Sequence, residues 1–370
     1  MASNKILGLI LANTNEKNMP DLTAHRTMGS VPFCGKYRLI DFPLSNMSNS
    51  GINNVGIVAK SNFQSLMDHL GSGSAWDLAR RHSGLSILPP YGEHHFSTIV
   101  EAVFNLHGYI EHGNEEYVLI STTDCIYNMD FSKVLSFHEK NNADITFIYT
   151  KAPFKQASAE YRCALEMDES GHVSKIMASA VNHDICNLST GTVLIKKHLL
   201  MTLIRQAVAE SKYNFLRHIL QPMTDRFRVF GYEKKGYCEF IDSVKDYFYA
   251  NMKLMNADTR AELFNPRRPI YTKVRDDMPS RYGLDSHVKG SLIAQGCVIN
   301  GVVENSIISK GVYIGYNTKI SNCIIMQDSV IGDDADLNYI VIDKDVKVSA
   351  KRSVQGCTNF PMYISKRAIV

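Results

Sequence analysis

The hydrophobic pattern changes period once along the chain and so divides it in two. Up to about residue 230, short apolar runs alternate with amphipathic stretches. Residues 6–12 form an unbroken apolar run followed at once by polar residues, the pattern of a buried parallel strand whose carboxyl edge is where α/β folds bind ligands. Further strands are predicted over 55–59, 117–121 and 144–150. Phe63, Leu66, Met67 and Leu70 share one helix face, which stops at Gly71-Ser72-Gly73. Val103, Leu106 and Ile110 mark a second helix over 99–110, and others are predicted over 131–141 and 248–261. Asp168-Glu169-Ser170-Gly171 turns a hairpin between 163–167 and 173–177, while 31–46 reads mostly as ordered loop. Strand and helix in alternation predict an α/β domain with a mixed, Rossmann-like sheet.

Asn265-Pro266-Arg267-Arg268-Pro269 and Asp276-Asp277-Met278-Pro279 break this pattern as a linker. Beyond it the apolar spacing becomes six: Val302, Ile308, Ile314 and Ile320, then, after a slip of one residue, Ile325, Ile331 and Leu337, followed by Ile342 and Val348. Six is neither the strand nor the helix period. It is the hexapeptide repeat of a parallel β-helix, with Gly311, Gly315 and Gly332 at turns; a meander of short strands fits the spacing less well. The expected organisation is an α/β domain over 1–258, a linker over 259–287 and a β-helix over 288–370. The open end of a β-helix presents unpaired backbone, which predicts an assembly surface.

Composition narrows the function. With 40 Lys and Arg against 37 Asp and Glu, the dispersed charge of +3 argues against nucleic acid or anionic membrane as the main partner. Eight cysteines without metal-ligand or framework spacing suit reduced thiols in a cytoplasm, and the run 6–12 is too short for a signal peptide or a membrane span. The first strand ends where a phosphate is expected, yet Asn13 to Asn18 holds no glycine and only one cation, Lys17. Asp124, just past the strand over 117–121, is placed to hold a metal. The histidines His69, His94, His95 and His183 lack ligand spacing.

Phe33-Cys34-Gly35-Lys36-Tyr37-Arg38-Leu39-Ile40-Asp41-Phe42-Pro43-Leu44-Ser45-Asn46, with Asn49-Ser50-Gly51-Ile52 after it, closely resembles the signature of ADP-glucose pyrophosphorylase (glucose-1-phosphate adenylyltransferase). So does Gly73-Ser74-Ala75-Trp76-Asp77-Leu78, and the resemblance spans nearly the whole chain. It implies a GT-A-type nucleotidyltransferase domain that joins ATP to glucose-1-phosphate with Mg2+ and releases pyrophosphate. It also implies a left-handed parallel β-helix that serves tetramer assembly and allosteric control.

Transferred residue by residue, the resemblance exposes losses. The family's phosphate loop falls on Asn13 to Met19: its paired glycines become Asn13 and Thr14, its third glycine Glu16, and its catalytic arginine Asn18. A phosphate-binding lysine becomes Met28, and the sugar-phosphate motif falls on Ala178-Ser179-Ala180, without its carboxylate or lysine. Asp124 and Asp242 match the family's two metal-binding aspartates, so they are the candidate Mg2+ ligands. Ser97 and Thr98, with these aspartates, mark a vestigial substrate pocket, and Thr190-Gly191 matches a turn beside the sugar. His25 and Arg26 lie where the family has a basic effector pair; they, Lys36 and Arg38 are candidates for an effector or subunit contact.

Together these losses imply a catalytically deficient subunit that needs no cofactor of its own. It would join a homologous catalytic subunit in a heterotetramer, with Mg2+ serving the assembled enzyme. Two alternatives stay open: an active sugar-phosphate nucleotidyltransferase whose phosphate site is rebuilt from Lys17, Lys36 and Arg26, or a homomeric sensor of a nucleotide or sugar phosphate.

Overall fold

A computed structural model describes residues 5–89, 98–154, 162–178 and 185–370. A nine-stranded sheet organises the first half. Strands β1 (Ile6–Leu11), β2 (Asn54–Val58), β3 (Gly84–Leu88) and β4 (Tyr117–Thr122) are parallel, in the order β3-β2-β1-β4. The others are β5 (Ile145–Ala152), β6 (Ala164–Met167), β7 (Val173–Met177), β8 (Cys186–Lys196) and β9 (Val229–Glu233). β8 runs antiparallel to both β4 and β5, β9 is parallel to β5, and the β6–β7 hairpin joins at Leu188. The sheet is therefore mixed.

β1 is central, and alternate residues serve opposite cores. Leu7, Leu9 and Leu11 pack with Val100, Val103, Leu200 and Ile204 on one face; Ile6 and Ile10 pack with Leu44, Met47, Leu66 and Val134 on the other. Burial on both faces is why this strand shows no polar alternation.

Local chemistry moves several boundaries. The helix expected over 99–110 divides at Leu106 into Ile99–Asn105 and His107–His112. That expected over 248–261 becomes Val244–Lys253 and Ala257–Leu263, because the Asn256 side chain accepts from the backbone N–H of Asp258 and Thr259 and starts a new helix. The second helix crosses the boundary expected at residue 258, and the first strand of the β-helix, Arg281–Tyr282, lies within the stretch expected as linker. The expected loop over 31–46 contains a hairpin, Pro32–Phe33 with Tyr37–Arg38, and the start of a helix, Asp41–Asn49. Pro43 sits in that helix's first turn, where a missing N–H breaks no bond.

The second half stacks three parallel sheets of five strands each. From Val302 through Asp336 to Ser353 corresponding positions lie 17 residues apart, one short of three hexapeptides, so the slip recurs in these successive coils. It falls at Asn305, Asn322 and Tyr339, whose φ values of 42°, 51° and 53° are left-handed. Asn tolerates that region, and Asn305 Nδ2 donates to Asn322 Oδ1 at 2.6 Å along the stack. At the first of these corners it is Val303, in place of the expected Val302, that is fully buried.

The two halves share a core. Ile307, Ile324 and Val341, outward-facing on one β-helix sheet, pack in a single buried cluster with Met19, Met28, Phe33, Phe42, Tyr247 and Phe248. Among the described residues no helix is long and apolar enough to cross a membrane.

Candidate functional site

The loop after β1 is closed by its own hydrogen bonds. Asn15 supplies the one left-handed conformation, with φ 60°, ahead of a short 3-10 turn at Glu16–Asn18. Asn13 Nδ2 donates to Glu16 Oε1 at 2.7 Å and to the Ser61 carbonyl at 3.1 Å, and Asn13 Oδ1 accepts from Lys60 N at 2.6 Å. Asn18 Nδ2 donates to Asn15 Oδ1 at 2.5 Å, and the Thr14 and Thr123 hydroxyls are 3.4 Å apart. The backbone N–H groups of Asn18 and Met19 turn back to the carbonyls of Asn15 and Glu16. A phosphate cradle aims such donors outward. Burial pushes the Glu16 carboxyl above its usual range, against the hydrogen bond from Asn13 and the charge of Lys60. Met28, at the expected lysine position, is fully buried in the core between the halves.

Backbone pairing brings the two aspartates together. Cys125–Tyr127 and Cys238–Phe240 form an antiparallel pair with Phe240 opposite Cys125; Asp124 precedes the first strand and Asp242 follows the second. The Ile241 N–H donates to the Asp124 carbonyl at 2.9 Å. Between the carboxylates lies Arg162. Its Nη2 donates to Asp124 Oδ2 at 2.6 Å and its Nη1 to Asp242 Oδ1 and Oδ2 at 2.6 and 2.7 Å. The guanidinium carbon stands 4.4 Å over the Phe240 ring. Asn15 Nδ2 completes the site, donating to the Ile241 carbonyl at 2.9 Å and to Asp242 Oδ1 at 3.0 Å. Burial pushes the Asp242 carboxyl up while Arg162 opposes the rise; burial works against the Arg162 charge, but both carboxylates hold its pKa above the ordinary value.

Asp124 and Asp242 were the expected Mg2+ ligands, and the expectation needs correction. Three of their four oxygens are spent on a guanidinium, and no cluster of three or more His, Cys, Asp or Glu suited to a metal occurs among the described residues. A magnesium ion wants near-octahedral oxygen ligation at about 2.0–2.1 Å, which this arrangement does not offer. The residues present do not fit the metal.

Thr98 is a helix cap. Its hydroxyl accepts from the Glu101 N–H, and Glu101 Oε2 accepts from Thr98 N, closing a capping box on Ile99–Asn105. Ser97 and Ser179 lie outside the described residues. Gly191, in the expected sugar turn, has φ 77°, and a Cβ there would stand 2.6 Å from Thr122 Oγ1. The hollow above it, lined by Leu11, Thr122, Gly191, Phe215, Leu216 and Leu220, has about 20 Å³, room for roughly one water.

The four expected effector contacts separate. His25 is exposed. Arg26 is only 3% exposed and pairs with Asp343, its Nη2 lying 2.7 and 2.9 Å from the two carboxylate oxygens; it is a bond between the halves and cannot meet an effector. Lys36 and Arg38 line a cleft of about 260 Å³ together with Lys273, Arg275, Lys310 and Lys344. With Arg26 on Asp343 and Lys36 at the cleft, two of the cations invoked for a rebuilt phosphate site lie away from Asp124 and Asp242, whose cation is Arg162. Arg162 and Asn15 escaped sequence reasoning. Two buried carboxylates demand a cation, but no spacing singles out an arginine ahead of the run 163–167.

Comparisons with known proteins agree with this architecture. The nucleotidyl transferase family model matches residues 7–254, and that of the GlmU-like C-terminal hexapeptide matches residues 276–357. The chain is 35% identical to the glycogen biosynthesis protein GlgD of Bacillus subtilis (strain 168), over 99% of this chain and 97% of that protein. It is 33% identical to the glucose-1-phosphate adenylyltransferase of Halalkalibacterium halodurans, over 93% of this chain and 97% of the relative. The enzyme of the same name from Acetivibrio thermocellus is also 33% identical, over 94% and 83%. With both halves matched and a relative aligned from end to end, the chain belongs to the nucleotidyl transferase family, as a GlgD-type member of its ADP-glucose pyrophosphorylase branch.

Proposed function

We propose that this chain is a catalytically deficient subunit of glucose-1-phosphate adenylyltransferase in glycogen biosynthesis. It assembles with an active homologous subunit into a heterotetramer and raises or modulates the synthesis of ADP-glucose from ATP and glucose-1-phosphate. Mg2+ serves the partner's site, and this chain requires no cofactor. The observation that carries the reading is the loop Asn13 to Met19, where Asn13 bonds Glu16, Asn18 bonds Asn15, and the N–H groups of Asn18 and Met19 turn inward, while a triphosphate would need such donors free. Removing one charge-stabilising donor costs on the order of 10²–10³ in rate, and here an arginine, a lysine and the glycine cradle are absent together.

Two surfaces suit a regulatory role. Val274, Met278, Tyr282 and Leu284 are exposed apolar residues leading into and along the first coil of the β-helix, whose strands have no neighbour on one side among the described residues, as an assembly contact needs. The cleft with Lys36 and Arg38, where six Lys and Arg outnumber Asp68, Asp328 and Asp345, suits a small anionic effector. The test is an assay of glucose-1-phosphate-dependent pyrophosphate release by the purified chain, alone and co-expressed with a catalytic homologue. Negligible activity alone, with co-purification and an altered rate in the mixture, is the expected result. Robust activity of the chain alone would sink the reading.

A further inference from the structure

Arg162 is 1% exposed, and its neighbours are arranged around it as ligands are around an ion. Besides the three carboxylate contacts, Nη2 lies 3.2 Å from the Asp124 carbonyl, so four oxygens from the two aspartates converge on one planar cation. Phe240 closes one face of the guanidinium. Asn15 holds Asp242 from the loop side, which fastens the loop after β1 to the same cluster. Asp124 Oδ1 and Arg162 Nε are buried without a hydrogen-bond partner among the described residues. The oxygen chemistry is that of a bridging metal site; the centre is an organic cation.

We propose that the Arg162 guanidinium is the resident counter-ion of the Asp124–Asp242 pair, standing in for a divalent metal, and that the pair takes up a divalent cation only when Arg162 is removed. A free arginine would leave two buried carboxylates facing each other, which is why such pairs ordinarily require a metal or a shared proton. The guanidinium meets that demand from within the chain. Its planar fork reaches both carboxylates at once and stays charged, whereas a lysine ammonium offers a single point. A divalent ion entering while Arg162 stays in place would face a positive charge on the same oxygens, in a buried setting where water screens little. The loop after β1, held to Asp242 through Asn15, is thereby fixed without any metal. This goes beyond the proposed assembly and does not depend on it, because it concerns the isolated chain.

The test uses the full chain freed of metals with a chelator, and Mn2+ as the probe, followed by the paramagnetic resonance signal of the free ion. The native chain is expected to leave that signal undiminished at millimolar Mn2+, with its unfolding midpoint unmoved. Arg162→Met is expected to take up one Mn2+ per chain and to gain stability from it, and Asp242→Asn added to that variant is expected to abolish uptake. Where Arg162→Met folds unaided, the gain is read as a shift of the unfolding midpoint. Where it does not, the gain is read as the yield of folded chain on dilution from urea, with Mn2+ against an equal ionic strength of KCl. Stoichiometric Mn2+ uptake by the native chain that Asp242→Asn removes would overturn the proposal. So would an Arg162→Met chain that gains nothing from Mn2+ in either readout.

Discussion

Arg26 and Asp343, 317 positions apart in sequence, form a buried ion pair in which one guanidinium nitrogen contacts both carboxylate oxygens at 2.7 and 2.9 Å. Tyr363 donates its hydroxyl proton to the same carboxylate at 2.5 Å and lies 3.0 Å from the Asp21 carbonyl. The pair therefore ties the nucleotidyltransferase half to the β-helix at a point that water does not reach. Removing one member strands the other charge in the interior, at a cost of about 3–5 kcal/mol. Arg26→Met and Asp343→Leu should each lower the urea midpoint accordingly, while the two combined should lose much less than the sum. Additive losses would show that the two side chains do not act as a pair.

Met28 makes the opposite point, since it stands where the family has a phosphate-binding lysine yet is packed in the core shared by the two halves. Met28→Lys places an ammonium among apolar side chains and should destabilise the chain by several kcal/mol without creating phosphate affinity. Met28→Leu, of similar volume, should cost less than about 1.5 kcal/mol. Denaturant midpoints of the two variants, with phosphate titrations of each, check this. A stable Met28→Lys chain that binds phosphate would show that the position still opens onto the substrate site.

How far the sequence spoke depended on whether a feature was local. Ile6 to Leu11 is legible because burial on both faces leaves a continuous apolar run, and the β-helix because its corners repeat. The shortened coil was visible as one slip, but that it recurs at Asn305, Asn322 and Tyr339 required the stacking itself. At the site, Asp124 was found because it follows a recognisable strand, and Asp242 because its position matches a family aspartate. Arg162 was not, because its role exists only once strands from three places in the chain converge on it. Arg26 was misread for the same reason: Asp343 lies in the other half of the sequence.

Glu16 gives the loop a pH dependence. Burial raises its folded pKa above the value of 4.5 expected in an unfolded chain, so the folded state holds the proton more tightly. Stability from this group is complete in acid and is lost as pH rises from about 4.5 through the folded value. Glu16→Gln keeps an oxygen for the bond from Asn13 and removes the charge. The variant should be more stable than the native chain at pH 7 and indistinguishable from it at pH 4. An equal difference at both values would exclude the buried carboxylate as its origin.

The interdomain cleft should bind anions with uptake of a proton. Burial, then the positive charges of Arg38 and Arg26, push Lys344 down to about 7, with Lys366 acting in the same direction and Asp343 against it. At neutral pH the amine is thus only partly charged, although it lines the cleft beside Lys36, Arg38 and Lys310. An anion seated there favours the protonated amine, so the folded chain takes up a proton on binding. The sign follows: affinity is highest below pH 7 and weakens above it, by up to about tenfold per pH unit while the lysine titrates. Sulfate is the suitable probe, since its own charge is constant over this range. Calorimetric titrations at pH 6, 7.5 and 9 should show the decline in the native chain, and Lys344→Ala should bind more weakly at pH 6 with the decline flattened. Lys344→Arg should hold its affinity to high pH, because a guanidinium does not titrate there. Affinity that stays level with pH in the native chain would mean that the anion sits out of reach of Lys344.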